Sequence, residues 1–319
     1  MEGKERKYRN QRRKFLTTGV GLTIGLGAVS LSNLSNQDPE NVPLKTIKVL
    51  MPDGRLAEVE EKALSTRTGP YEPPRGIKAR KGIPSRKFIM VIDLSKCTNA
   101  RKCVEGCQRG HNLGPDQEWI TVHLRKDNPK SSPYWMPKPC FHCDNPPCVK
   151  VCPVGATFKR SDGCVLTDID RCIGCKFCIT ACPYSSRIFN WKAPENEKLK
   201  DIEYSPETSI PGKVGTVGKC DFCPDRSRKG KLPYCVESCP MGAIYFGDKN
   251  EDAVSNGTEI LGFKELIKDK AGYRLLEELG TFPSVFYLPP VNRDFPFERG
   301  LENLDEKHRQ RALKNLSIQ

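Results

Sequence analysis

Apolar and polar positions divide the chain into a short apolar label, a polar arm, a cysteine-bearing middle and a mixed tail. From Phe15-Leu16 to about Leu34 the residues are weakly apolar, with Gly19, Gly21, Gly25, Gly27, Thr17, Thr18 and Thr23 diluting the hydrophobicity. A run of about 20 such residues could cross a bilayer as a helix, and it equally suits the apolar core of an export signal. Residues 36–85 contain no cysteine, several prolines and charges of both signs, the composition of an extended arm or linker. Beyond the middle, Phe263, Leu266, Ile267, Leu275, Leu276 and Leu279 fall near helical spacing, which predicts one helix capped by Gly280. Val285 to Leu288 predicts a short strand, followed by coil that prolines interrupt. No C-terminal stretch is long or apolar enough to predict a membrane span.

Composition adds a constraint. A chain of 319 residues can form one large domain or two ordinary ones, yet only 37% of it is hydrophobic, with a mean hydropathy of -0.55. That implies a thin apolar core needing other support. The net charge of +13 is partly local: seven Lys and Arg against Glu2 and Glu5 lie in the first fourteen residues. The pair Arg12-Arg13 ahead of the apolar run matches a twin-arginine export signal, whose route carries folded proteins. A retained N-terminal anchor is the competing reading, and cleavage near Ala28 to Ser30 has only a mediocre small-residue site. The remaining charge is dispersed, without the aromatic-interleaved basic stripe of a nucleic-acid platform, so no nucleic-acid partner is expected.

The chemistry lies in sixteen cysteines set against four histidines. All sixteen fall between residues 97 and 239, in four groups and one outlier. The third group, Cys172, Cys175, Cys178 and Cys182 before Pro183, has the C-x2-C-x2-C-x3-C-P order of bacterial ferredoxins. Three sulfurs so closely spaced can wrap one cubane only if the backbone curls, and Gly174 permits that curl. The second group (Cys140, Cys143, Cys148, Cys152, then Pro153) and the fourth (Cys220, Cys223, Cys235, Cys239, then Pro240) stretch the middle gap. Three groups sharing one ending indicate internal duplication. Disulfides and zinc compete for these thiols. Disulfides have no need of the trailing prolines, and zinc would leave part of the crowded triplet unused.

In order and spacing, including "HCDNPPC", "GCVLTDIDRCIGC" and "GKLPYCVESCPMGAIYFGD", residues 86–250 resemble the four-cluster ferredoxin-like iron-sulfur subunits of molybdopterin oxidoreductase complexes. Dimethyl sulfoxide reductase, polysulfide reductase, a periplasmic hydrogenase partner and alternative complex III include such subunits. The resemblance implies an α+β fold of two interleaved two-cluster ferredoxin-like units, the inner (about residues 138–190) inserted in the outer. An extended N-terminal arm precedes them, and a C-terminal helix and docking tail (251–319) follow, with residues 1–35 as the label. It further implies that each loop gives three sulfurs to its own cluster and the fourth to its partner's. Cys140, Cys143, Cys148 and Cys182 would then hold one 4Fe-4S cluster, and Cys172, Cys175, Cys178 and Cys152 a second. Cys220, Cys223, Cys235 and Cys107 would hold a third.

Cys97, Cys103 and Cys239 remain for the fourth site. The first group, "CTNARKCVEGC", has Ala100 where the family places a second cysteine. Three thiolates most simply hold a 3Fe-4S cluster; the alternative is a 4Fe-4S cluster whose odd iron takes water, Asn99 or His111. Cys164, the outlier, reads as a buried small thiol at the start of a strand, with replacement of the missing sulfur as its rival role. His111, His123, His142 and His308 are too scattered for a haem or zinc site. His142, between two ligands, is placed to tune its cluster by hydrogen bonding. Trp119, Trp135 and Trp191 read as packing or interface residues. No nucleophile, base and orienter set predicts catalysis.

The expected role is thus non-catalytic: a relay of single electrons between a molybdopterin catalytic subunit and a membrane quinone-interacting or cytochrome subunit. The expected location is the extracytoplasmic face, held to the membrane through partners. An independent soluble polyferredoxin is the alternative.

Overall fold

The run FIMVID at Phe88–Asp93 is buried at every position, as a strand must be when both of its faces are covered. It lies inside a five-stranded sheet ordered Ile260–Gly262, Ala253–Ser255, Ile244–Asp248, Phe88–Asp93 and Val285–Leu288. Ile244–Asp248 pairs with it antiparallel, with Phe246 opposite Met90. Val285–Leu288 pairs with it parallel, with Tyr287 opposite Ile92. Side chains alternate across the sheet. Phe88, Met90 and Ile92 join a core containing Cys103, Cys107, Cys220 and Cys235. Ile89 and Val91 pack instead with Phe263, Phe286 and Leu288 on the other face.

The computed structural model describes residues 46–50, 56–60, 76–192, 204–208, 210, 212–293 and 295–318. The twin-arginine segment lies outside the described residues. Within the stretch read as an arm, Thr46–Leu50 pairs antiparallel with Leu56–Glu60, and Gly76–Lys81 is a short helix. The cysteine region is built from two-stranded pairs and helices of one to three turns. Thr121–Arg125 pairs with Tyr134–Lys138, Thr157–Lys159 with Val165–Thr167, and Ile188–Phe189 with Val217–Gly218. Small sheets and short helices of this kind belong to the α+β class.

The tail departs from the single helix expected over residues 263–279. The helix Phe263–Asp269 stops after two turns because Ala271 takes a left-handed φ of 49° and the Gly272 N–H turns back to the Ile267 carbonyl at 2.7 Å. Tyr273 then exchanges both backbone hydrogen bonds with Tyr287, at 2.9 and 2.8 Å, which ties the segment to the sheet edge. Gly280 does cap helical backbone, but of the 3-10 turn Glu277–Leu279. The strand Val285–Leu288 is present as expected. In place of proline-broken coil alone, a 3-10 segment Phe297–Asn303 and a helix Glu306–Ile318 follow. Asp305 caps that helix through the His308 N–H at 2.9 Å, and Leu304, Ala312 and Leu316 pack with Trp135, Leu124 and Cys97. No helix among the described residues is long and apolar enough to cross a membrane.

Candidate metal centres

Each cysteine group begins with the same backbone device. The residue before the second position of each group's opening C-x-x-C step, or its Ala100 counterpart, is left-handed: Asn99 at φ 54°, His142 at 42°, Gly174 at 70° and Phe222 at 67°. Such a residue reverses the chain tightly enough to bring the sulfurs on either side of it round one centre. Gly174 is required for a further reason, because a Cβ there would sit 2.1 Å from the Gly215 carbonyl oxygen. The first loop keeps the curl although Ala100 has replaced its sulfur. Each loop then runs into a short helix that carries the next thiol: Cys103 in Lys102–His111, Cys148 in Pro147–Lys150, Cys178 in Phe177–Thr180 and Cys235 in Tyr234–Glu237. After the proline-flanked cysteines, backbone N–H groups of Thr157 and Ala243 donate to Cys152 Sγ and Cys239 Sγ, both at 3.4 Å.

The thiols converge across loops. Cys97, Cys103 and Cys239 line one cavity, with Asn99 and Ala100 beside them. Cys107 from the first loop has Cys220 and Cys235 of the fourth as neighbours, and Cys223 faces Cys235, Cys107 and Cys220. Cys143 is surrounded by Cys140, Cys148 and Cys182. Cys178 faces Cys148 and Cys172. Cys175 is the exposed member, and Cys152 is half-buried. Between groups, Cys140 neighbours Cys220, and Cys235 neighbours Cys103 and Cys239. Taken by electrostatic neighbour, the groups follow one order: third loop, second, fourth, first.

The donor set fits iron-sulfur clusters. No disulfide joins any of the sixteen cysteines. Burial pushes Cys97, Cys143 and Cys220 up to about 12, and Cys107, Cys223 and Cys235 well above the ordinary thiol value. Left alone these groups stay protonated, so they become ligands only where a metal supplies the compensating charge. Arg187 makes the complementary observation. It is 5% exposed, its Nη1 donates to the Thr157 and Thr167 hydroxyls at 3.3 Å each, and its Nη2 has no oxygen acceptor, with the Cys148 and Cys178 thiols as its remaining hydrogen-bonding neighbours. Its electrostatic neighbours are Cys148, Cys178 and Cys140. A buried guanidinium without a counter-anion costs several kcal/mol, whereas one set among iron-bound thiolates is neutralised.

Arg187 carried no sequence signal, since nothing in "YSSRIF" separates it from a surface arginine. His111 does not reach the three-thiol cavity: its Nε2 lies 3.3 Å from Cys223 Sγ and 3.6 Å from Asp221 Oδ1, a buried group at the neighbouring site. Asn99 lines the cavity, with Nδ2 donating to the Gly300 carbonyl at 2.8 Å and Oδ1 unpartnered. Cys164 is fully buried, and its electrostatic neighbours are Asp162, Arg160, Lys219 and Asp221, none of them a thiol. His142 Nδ1 accepts the Val165 N–H at 2.9 Å, so its Nε2–H donates to the Cys220 carbonyl at 3.0 Å. Its ring stacks on Phe222 at 3.7 Å, which joins the second loop to the fourth.

Residues 132–201 and 209–249 match the family model of the 4Fe-4S dicluster domain. The chain is 37% identical over 311 residues to the B subunit of selenate reductase from Mesobacillus selenatarsenatis, covering 90% of this chain and 100% of that one. It is 36% identical over 233 residues to the menaquinone reductase iron-sulfur cluster-binding subunit of Nitratidesulfovibrio vulgaris, covering 63% and 88%. The B subunit of tetrathionate reductase from Salmonella typhimurium is 35% identical over 223 residues, covering 69% and 77%.

Proposed function

The chain belongs to the family of four-cluster ferredoxin-like iron-sulfur subunits of molybdopterin oxidoreductase complexes, and on that premise we propose how its sites are filled and what they connect. It is an electron-transfer subunit and not a catalytic one. Bound clusters supply one-electron exchange over a wide range of potentials. The chain's own residues hold them in a row, exclude water and set the charge around them. The observation that carries this reading is the line of thiol groups from the exposed third loop, through the second and fourth, to the tail-covered first.

Three 4Fe-4S clusters take the sets Cys140, Cys143, Cys148, Cys182; Cys172, Cys175, Cys178, Cys152; and Cys220, Cys223, Cys235, Cys107. Two interleaved ferredoxin-like units follow from that exchange of fourth ligands. Cys97, Cys103 and Cys239 hold a 3Fe-4S cluster. The unpartnered Oδ1 of Asn99 favours a second reading of that site, in which it ligates a fourth iron. Electrons pass between a molybdopterin catalytic subunit and a membrane quinone-interacting or cytochrome subunit, on the extracytoplasmic face after twin-arginine export. The full-length match to a selenate reductase subunit favours an oxyanion reductase as the catalytic partner.

Electron paramagnetic resonance of the anaerobically purified, oxidised protein tests the assignment. A three-iron signal is expected, and Ala100→Cys should abolish it by restoring a fourth thiolate. Colourless protein with iron far below stoichiometry would overturn the whole reading. A three-iron signal absent from the parent but present in Asn99→Ala would select the asparagine-ligated form.

A further inference from the structure

We propose that Arg187 is a fixed positive charge that sets the reduction potentials of the clusters in the second and third loops. The inference rests on the cluster assignment above. Both threonine hydroxyls that hold its Nη1 belong to one strand pair, Thr157 on Thr157–Lys159 and Thr167 on Val165–Thr167, where the two residues face each other in register. The guanidinium therefore has a position defined by a sheet. Among the described residues no carboxylate pairs with it, and its buried Nη2 has no oxygen acceptor, its remaining hydrogen-bonding neighbours being the Cys148 and Cys178 thiols. The groups around it that become negative on binding iron are thiols of two different sites: Cys140 and Cys148 from the second loop and Cys178 from the third.

The physics of such a placement is direct. When a cluster is reduced, one electron enters it and its net charge becomes more negative by one, with no bond made or broken and no proton moved. A guanidinium stays charged at any working pH. In a water-poor interior its attraction for the added electron is weakly screened, so it favours the reduced form and raises the potential. The effect falls with distance. It should be large at the second and third loops and small at the fourth and first, which lie further along the line.

A redox titration of the full chain, loaded with clusters anaerobically and poised with a mediator-buffered chemical reductant, reads this out through the paramagnetic signals of each site. In Arg187→Gln the midpoints of the second- and third-loop clusters should fall, while those of the other two stay near the parent's. Arg187→Lys, which keeps a charge, should restore most of the shift. Unchanged midpoints in an assembled Arg187→Gln protein, or an equal shift at all four sites, would overturn the proposal. If Arg187→Gln does not assemble, cluster content decides. Loss confined to the second and third loops and reversed by Arg187→Lys supports the charge role; loss at all sites, or loss that lysine does not reverse, sinks it. A parent protein without cluster signals would overturn the cluster assignment before any variant is made.

Discussion

The first and third loops share one backbone curl and lie at opposite ends of the line of thiols, yet one is covered by the chain's own tail and the other is open. Over the first loop lies the segment Phe297–Asn303, held by the Trp135 Nε1–H donating to the Phe297 carbonyl at 2.8 Å and by Asn99 Nδ2 on Gly300. The fit is close enough that a Cβ on Gly300 would sit 2.2 Å from Trp135 Nε1. Around the third loop, Ile173 is 64% exposed, Phe177 60% and Trp191 71%, with Lys176 Nζ spanning the Phe189 and Trp191 rings at 4.2 and 4.0 Å. An apolar rim of that kind is what interfaces use. The curl is thus a requirement of ligation, common to all loops, whereas cover depends on which molecule reaches the site from outside.

That contrast can be broken at either end. The largest effect is expected from Trp135→Ala, which empties a fully buried position beneath the tail and should cost about 3–5 kcal/mol in anaerobic denaturant unfolding. The same substitution should make the first-loop cluster the first to bleach in air. Gly174→Ala strikes the open end. Its added carbon meets the backbone of Gly215, so a loss of about 1–3 kcal/mol should accompany loss of the third-loop cluster signal, with the first-loop signal retained.

A smaller effect concerns acid. Glu259, beside the cleft that reaches Cys239, is held below the usual carboxylate range chiefly by the Tyr245 hydroxyl, with Lys96 adding to it against burial. Its folded value is depressed, so its contribution is present above the ordinary 4.5 and lost as pH falls through the lower folded value. The group is partly exposed, which limits the contribution to about 1 kcal/mol or less. Glu259→Gln should flatten the acid side of a stability-pH curve by that amount. The smallest effect is expected from Trp191→Ala, which should leave unfolding within about 0.5 kcal/mol of the parent while weakening recovery of the protein with the partner subunits proposed above.

The cysteine order was legible because ligation by three close sulfurs dictates spacing, and Gly174 could be read as a curl because glycine takes a left-handed φ without steric cost. The same curl at Asn99, His142 and Phe222 was not legible: asparagine and histidine only favour a positive φ more than most residues do, and phenylalanine gives no sign of one. The helix over residues 263–279 was over-read: its apolar spacing continues through Leu275 and Leu276, but pairing of Tyr273 with Tyr287 overrides it. The helix Glu306–Ile318 went unread because its polar sequence offers little periodicity, and its partners, Trp135 and Leu124, are remote in the chain. Arg187 is the clearest case. Its role depends entirely on which thiols surround it, and that is a property of the fold and not of its neighbours in sequence.

The parallel pairing of Val285–Leu288 with Met90–Asp93 also bears on how the protein is made. Strand contacts between such distant positions form late and slowly. When a ribosome has finished all sixteen cysteines, it has yet to synthesise the strand that closes their sheet. The sheet beside the thiols therefore gains its last edge only after every cysteine has been made.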